Sequence, residues 1–145
     1  MNHIEYTKSV VGSVAATNEA TTALLRLDTL GYDYASVDVV YAATPAAGTN
    51  SSVASVLTLK HSDSASTGYD TISGYPTVAV PTAVASSSAA SVIRFDVDMR
   101  GRKRYLEVAS SPRTNATVTV VARLGKGEEG PATAAAKGVA VQYAG

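Results

Sequence analysis

Cysteine and tryptophan are absent from these 145 residues, phenylalanine occurs once and histidine twice. Without cysteine there is no disulfide framework, no thiolate metal site and no thiol nucleophile, so stability rests on packing. His3 and His61 without a thiolate beside them make a poor metal set, and no metal or cofactor is expected. Charge is sparse: 12 Lys and Arg balance 12 Asp and Glu, and a formal net charge of zero argues against broad adhesion to nucleic acid. No apolar run approaches the roughly 20 residues a spanning helix needs, so no membrane role is expected. The start, Met1-Asn2-His3-Ile4-Glu5-Tyr6-Thr7-Lys8, lacks the basic opening and apolar run of a signal peptide, and synthesis in a cytosol is the expectation.

What is present is a chain of one-domain size with 46% apolar residues, weighted towards Ala and Val. A core of short side chains makes few contacts per residue, so packing between sheets or between subunits should matter, and a homo-oligomer is expected. The balanced charge is unevenly spread. Met1 to Ile93 holds three Lys/Arg and seven Asp/Glu, a net −4, whereas Arg94 to Lys126 holds eight and three, a net +5. That asymmetry favours docking on a complementary protein surface or head-to-tail self-contact.

Short β-type runs recur between turn-forming clusters: Val10–Val14, Thr21–Leu27, Ala35–Ala42, Val53–Lys60, Thr77–Val80, Ser91–Asp98, Tyr105–Ser110, Thr117–Leu124 and Val139–Tyr143. This spacing predicts an all-β antiparallel sandwich. Asn18 to Leu30 also fits a short helix through Ala20, Leu24 and Leu27, but Thr21-Thr22 and the β-rich neighbours favour a strand. Val37, Val39 and Tyr41 alternate with Asp38 and Val40, and Val118, Val120 and Ala122 alternate with their neighbours, which marks two inner strands. The domain reading is a single unit over 1–145, with an N-terminal arm at 1–15, a sandwich at 16–126 and a C-terminal arm or edge strand at 127–145. The Ser/Ala run 83–90 and the Gly/Pro/Ala-rich 128–137 read as loops or arms.

The clearest pattern runs from Ser91 to Ser110. Period-2 alternation puts Val92, Arg94, Asp96 and Asp98 on one face and Ile93, Phe95 and Val97 on the other, and Gly101 then permits a turn. The expectation is a β-hairpin with a cationic tip, Arg100, Arg102, Lys103 and Arg104, that either clamps an anionic partner or keeps the turn soluble. Tyr105 and Tyr143 join these four as candidate protein-interaction residues. The other tyrosines, at 32, 34, 41, 69 and 75, are read as mainly structural, with an interface or sugar-binding cleft as the other use. His61-Ser62-Asp63-Ser64 holds the residue types of a hydrolytic triad, but immediate neighbours on a strand point apart, so no catalytic site is expected and the chain is read as not an enzyme. Asp63 and Asp70 flank a Ser/Gly loop without the spacing of a calcium loop.

The run Ile93-Arg94-Phe95-Asp96-Val97, then Arg100 through Val108, then Ala116-Thr117-Val118-Thr119-Val120-Val121-Ala122 resembles the C-terminal half of the capsid cement (decoration, or head-stabilising) proteins of tailed bacteriophages. A weaker likeness extends upstream through Leu27-Asp28-Thr29-Leu30-Gly31-Tyr32-Asp33 and Ser36–Val40 to Val56–Asp63. The resemblance implies a jelly-roll-like sandwich with extended arms, a structural virion protein on the outer capsid surface. It would be made in the host cytoplasm and bridge major capsid protein subunits as a homo-oligomer, a dimer before a trimer, with no cofactor and no direct nucleic-acid role. The Ala/Gly/Pro-rich stretch Gly130–Gly145 departs from that family's pattern, and Val139–Tyr143 is read as able to add a strand to an edge. The alternatives are another phage β-sandwich, a head–tail joining or tail protein, or a carbohydrate-binding or adhesin module.

Overall fold

Alternation of apolar and polar residues can bury one face of a strand only if a second sheet covers it, and two such sheets are what the chain builds. The computed structural model describes residues 7–16, 22–43, 54–75, 90–112, 117–127, 133 and 135–140. Eight strands occur in these: β1 (Lys8–Ala16), β2 (Ala23–Asp28), β3 (Tyr32–Tyr41), β4 (Ala54–Ser62), β5 (Asp70–Thr71), β6 (Ser91–Asp98), β7 (Tyr105–Pro112) and β8 (Val118–Gly127). Sheet A has the order β1-β8-β3-β6 and sheet B the order β2-β7-β4-β5, with every pair antiparallel. First strand pairs with last, second with seventh, third with sixth and fourth with fifth, so the chain is a doubled-back ribbon rolled into a β-sandwich. No helix among the described residues is long and apolar enough to cross a membrane.

The inner faces follow the alternation. Ala35, Val37, Val39 and Tyr41 of β3 and Val118, Val120, Ala122 and Leu124 of β8 are buried, and these are the two inner strands of sheet A. Sheet B answers with Leu25 and Leu27 of β2, Leu57 and Leu59 of β4, and Leu106 and Val108 of β7. Leucine and valine fill this core, which holds only three alanines, so it is less thin than the composition implied. Ser110 of β7 also lies inside, where its hydroxyl shares a hydrogen bond with the buried Tyr41 hydroxyl from the opposite sheet. Gly12 of β1 is where the sheets draw close: a Cβ there would stand 2.8 Å from the Leu25 Cβ.

Two expectations change and one ambiguity closes in favour of the strand. Residues 8–15 are not an arm but most of β1, because their inner neighbour β8 offers an antiparallel ladder from Lys8↔Leu124 to Ala16↔Val118, with register shifts on either side of Val14. Asn18–Leu30, where the residues favour a strand over a helix, holds β2 in its described part, with Ala23, Leu25 and Leu27 inward and Arg26 and Asp28 outward; residues 18–21 lie outside the described residues. β6 and β7 do not form a hairpin: β6 pairs only with β3 in sheet A, whereas β7 lies between β2 and β4 in sheet B. Their connection is a corner between the sheets. Met99, 6% exposed, carries the inward series Phe95 and Val97 over the end of the sandwich, and its N–H donates to the Asp33 carbonyl at 2.8 Å.

After β8, Thr133 and residues 135–138 make a capped turn: the Ala136 N–H donates to Thr133 Oγ1, the Lys137 N–H to the Thr133 carbonyl and the Gly138 N–H to the Ala135 carbonyl. The turn closes on the free edge of β1, where Ser9 N–H donates to the Lys137 carbonyl at 2.7 Å. Gly138 has φ +73 there, and a Cβ would lie 1.7 Å from the Ser9 carbonyl oxygen. The expected strand Thr77–Val80, residues 1–6 of the expected N-terminal arm, the Ser/Ala run except Ala90, and 128–132, 134 and 141–145 of the C-terminal segment, Tyr143 included, lie outside the described residues. Val139 and Ala140 are not in a strand.

Candidate interaction surface

One end of the sandwich gathers the cationic corner, the β2–β3 turn and the β4–β5 loop, because Asp28 and Ser62 both pair with Tyr105 while Asp98 pairs with Tyr34. Gly31 (φ +82) turns β2 into β3, and the Tyr32 N–H closes that turn on the Thr29 carbonyl. Gly101 (φ +78) does the same for the corner, whose Arg102 N–H donates to the Met99 carbonyl; a left-handed residue third in such a turn favours glycine. The Thr29 N–H donates to the Arg104 carbonyl and ties the two turns together.

The four cations of the corner are all engaged. Arg100 grips Asp98 with Nε on Oδ1 at 3.0 Å and Nη2 on Oδ2 at 2.7 Å. Arg104 grips Asp28 likewise at 2.8 and 2.6 Å, Lys103 reaches Asp70 at 2.5 Å, and Arg102 Nε donates to the Asp98 carbonyl. Lys126 of β8 sits 3.3 Å from Asp33 at the same end. The guanidinium of Arg100, helped by its backbone N–H, holds Asp98 down to about 2. Arg104 and Lys103 likewise push Asp28 and Asp70 below the usual carboxylate range, mainly through their side-chain hydrogen bonds.

The same cations stack on tyrosines. Arg100 and Lys126 lie 5.1 and 5.7 Å from the Tyr34 ring centre, Arg102 lies 5.8 Å from that of Tyr75, and Arg104 5.0 Å from that of Tyr105. Tyr75 also stands edge-on to Phe95 and donates its hydroxyl to the Asp96 carbonyl. Beside this ring of paired charges Leu30 is 67% exposed, at the tip of the β2–β3 turn.

The structure therefore brings Arg100, Arg102, Lys103, Arg104 and Tyr105 to one end. It also supplies what reading the residues in order did not: Asp28, Asp33 and Asp70, acids far off in the chain. Five of the six ion pairs among the described residues join the acidic first part to the basic stretch, and in four of them, Arg94–Asp38, Lys103–Asp70, Arg104–Asp28 and Lys126–Asp33, the acid comes from the first part. The charge asymmetry is largely spent within the molecule, and the corner is a nearly neutral surface of arginine, tyrosine and leucine whose charges are paired. Its signal was the opposite sign of the two halves, whose partners only the fold can match.

The triad residues are not brought together. His61 Nδ1 accepts the Lys103 N–H at 3.5 Å, while Ser62 Oγ donates to the Thr67 carbonyl at 2.6 Å and accepts the Ser64 N–H. Burial, reinforced by Lys103 and Arg102, holds the His61 pKa below its ordinary value. Of the five tyrosines read as structural, Tyr41 is buried and Tyr34 faces outward at the mouth of a cleft of about 430 Å³ on sheet A, walled also by Asp96 and Arg123 and lined by Gly125. No protein-family model matches this chain, and no curated protein matches it either.

Proposed function

We propose that this chain is a structural protein that binds the outer surface of an assembled tailed-phage capsid and stabilises it by bridging major capsid protein subunits. The single observation that carries the reading is the strand order, β1-β8-β3-β6 over β2-β7-β4-β5. It supports a jelly roll, the double-sheet arrangement of eight strands found in viral capsid domains, and agrees with the family resemblance of Ile93 to Ala122. The Arg, Tyr and Leu end formed by Leu30, Arg100, Arg102, Lys103, Arg104 and Tyr105 is the docking surface of this reading, since arginine and tyrosine dominate the energetics of protein interfaces. The protein acts by mass action: it binds the assembled shell and not free subunits, so each copy shifts the balance towards assembly through its differential affinity.

The test is the copy number of the chain in purified particles, by quantitative mass spectrometry beside the major capsid protein, with surface proteolysis of intact heads. Hundreds of accessible copies in fixed ratio to the capsid protein are expected. A dozen or fewer would make it a head–tail joining or tail protein instead, and none would overturn the virion reading in favour of a carbohydrate-binding module, since lectins share the architecture.

A further inference from the structure

The outer face of sheet A has a cleft at one end and an apolar row at the other. At the cleft end Tyr34 of β3 lies between Gly125 and Asp98, and Gly125 has no side chain to fill the space beside it. At the apolar end Val40 lies between Thr119 and Val92, and Val92 is 54% exposed. The two middle rows carry charge: Ser36 stands beside Arg123 and Asp96, and Asp38 stands beside Val121 and Arg94. Ser36 donates to Asp96 and Arg94 is paired with Asp38, while Arg123 has no carboxylate within ion-pair distance among the described residues. Cleft and apolar row thus sit on either side of one line across the strands, and so do Asp96 and Arg94 of β6. A surface arranged in this way is complementary to itself turned end for end, which is the requirement of an isologous contact.

We infer that two copies of this chain pack through the outer faces of their A sheets, about a two-fold axis that runs across the strands between the Ser36 and Asp38 rows. The axis sets Asp96 of each copy against Arg94 of the other, Val40 at the mouth of the cleft beside Tyr34, and Thr119 over the floor at Gly125. Four strands about 4.8 Å apart and eight residues long at about 3.4 Å each give a face of roughly 500 Å², or about 1,000 Å² for both copies, the lower bound for a specific interface. The face bears both signs of charge, so like faces meet without net repulsion. This contact names the surface of the homo-oligomer in the capsid reading but does not need a capsid, and its failure leaves that reading standing.

Sedimentation of the full chain over a range of concentrations tests it. The expected result is the mass of two chains, with a dimer dissociation constant at least tenfold weaker in Val40→Glu and unchanged in Thr58→Glu, which alters the outer face of sheet B. Asp96→Arg and Arg94→Asp should each weaken the dimer, and the two together in one chain should restore it; these exposed positions decide the matter if Val40→Glu fails to melt like the parent. A single-chain mass at every concentration overturns the inference. So does a dimer that Thr58→Glu breaks, or one that both Val40→Glu and the single charge reversals leave intact.

Discussion

Tyr41 and Ser110 offer a direct test of how the two sheets are held together. Tyr41 comes from β3 of sheet A and Ser110 from β7 of sheet B; they are 1% and 0% exposed, and their hydroxyls are bonded to each other across the core. Tyr41→Phe keeps the ring and its packing but leaves the Ser110 hydroxyl buried without that partner, which costs about 1–3 kcal/mol. Ser110→Ala strands the tyrosine hydroxyl at a similar cost. The double variant leaves neither group stranded, so its loss should fall below the sum of the singles by about 1–2 kcal/mol. At this chain length each kcal/mol lowers Tm by about 3–5 °C, so each single variant should melt about 3–15 °C below the parent. Urea unfolding followed by far-ultraviolet circular dichroism measures the cycle, with the urea dependence expected to stay constant. Singles that cost under about 0.5 kcal/mol, or a double variant that is simply additive, would show that the bond does not couple the sheets.

Three further outcomes follow from particular positions. Gly12→Val must place carbon 2.8 Å from Leu25 Cβ and 3.2 Å from the Leu24 carbonyl oxygen, and should cost about 1–3 kcal/mol in a thermal melt through overpacking. Gly138→Val cannot keep φ +73 or its approach to Ser9, so amide hydrogen exchange should show the Ser9 N–H losing protection while the strands of sheet B keep theirs. Acid should destabilise the fold in two windows. Asp98 falls from 3.8 unfolded to about 2 folded, so its contribution is complete above 3.8 and is lost as pH falls towards about 2; Asp28, Asp38 and Asp70 act in the same sense. His61, held below 6.5, binds its proton more readily in the unfolded chain, so stability also declines as pH drops under 6.5. Melts from pH 7 to 2 should show Tm falling throughout, and Asp98→Asn should flatten the lower window.

Strands were legible where burial on one side imposed alternation. β6 has the bounds its pattern gave, Ser91–Asp98, and β3 and β8 are the inner strands that their valine series marked. β5, two residues long, is too short to carry a period, and β1 was shortened because Lys8 and Ser9 look like terminal polar residues until β8 is set beside them. The hairpin failed for a different reason. Two alternating strands around a glycine turn read the same whether they pair or part at a corner, and only Met99, an apolar residue continuing the inward series past Val97, hinted at the second outcome. The corner's cations were found in the sequence, but not that they are neutralised, because Asp28 lies 76 residues from Arg104 and Asp70 lies 33 from Lys103.

The position of β8 governs how the chain can fold as it is made. It lies between β1 and β3, so sheet A lacks an inner strand until residues 118–127 have left the ribosome. Until then the valine face of β3 has one ladder neighbour instead of two, and β1 has none. Pairings that join the two ends of a sequence close large loops before they are rewarded, which makes such folding slow and exposes sheet edges to other chains meanwhile. Sheet A is therefore completed only once β8 has emerged, and the last of the described strands to be made is the one that commits the first.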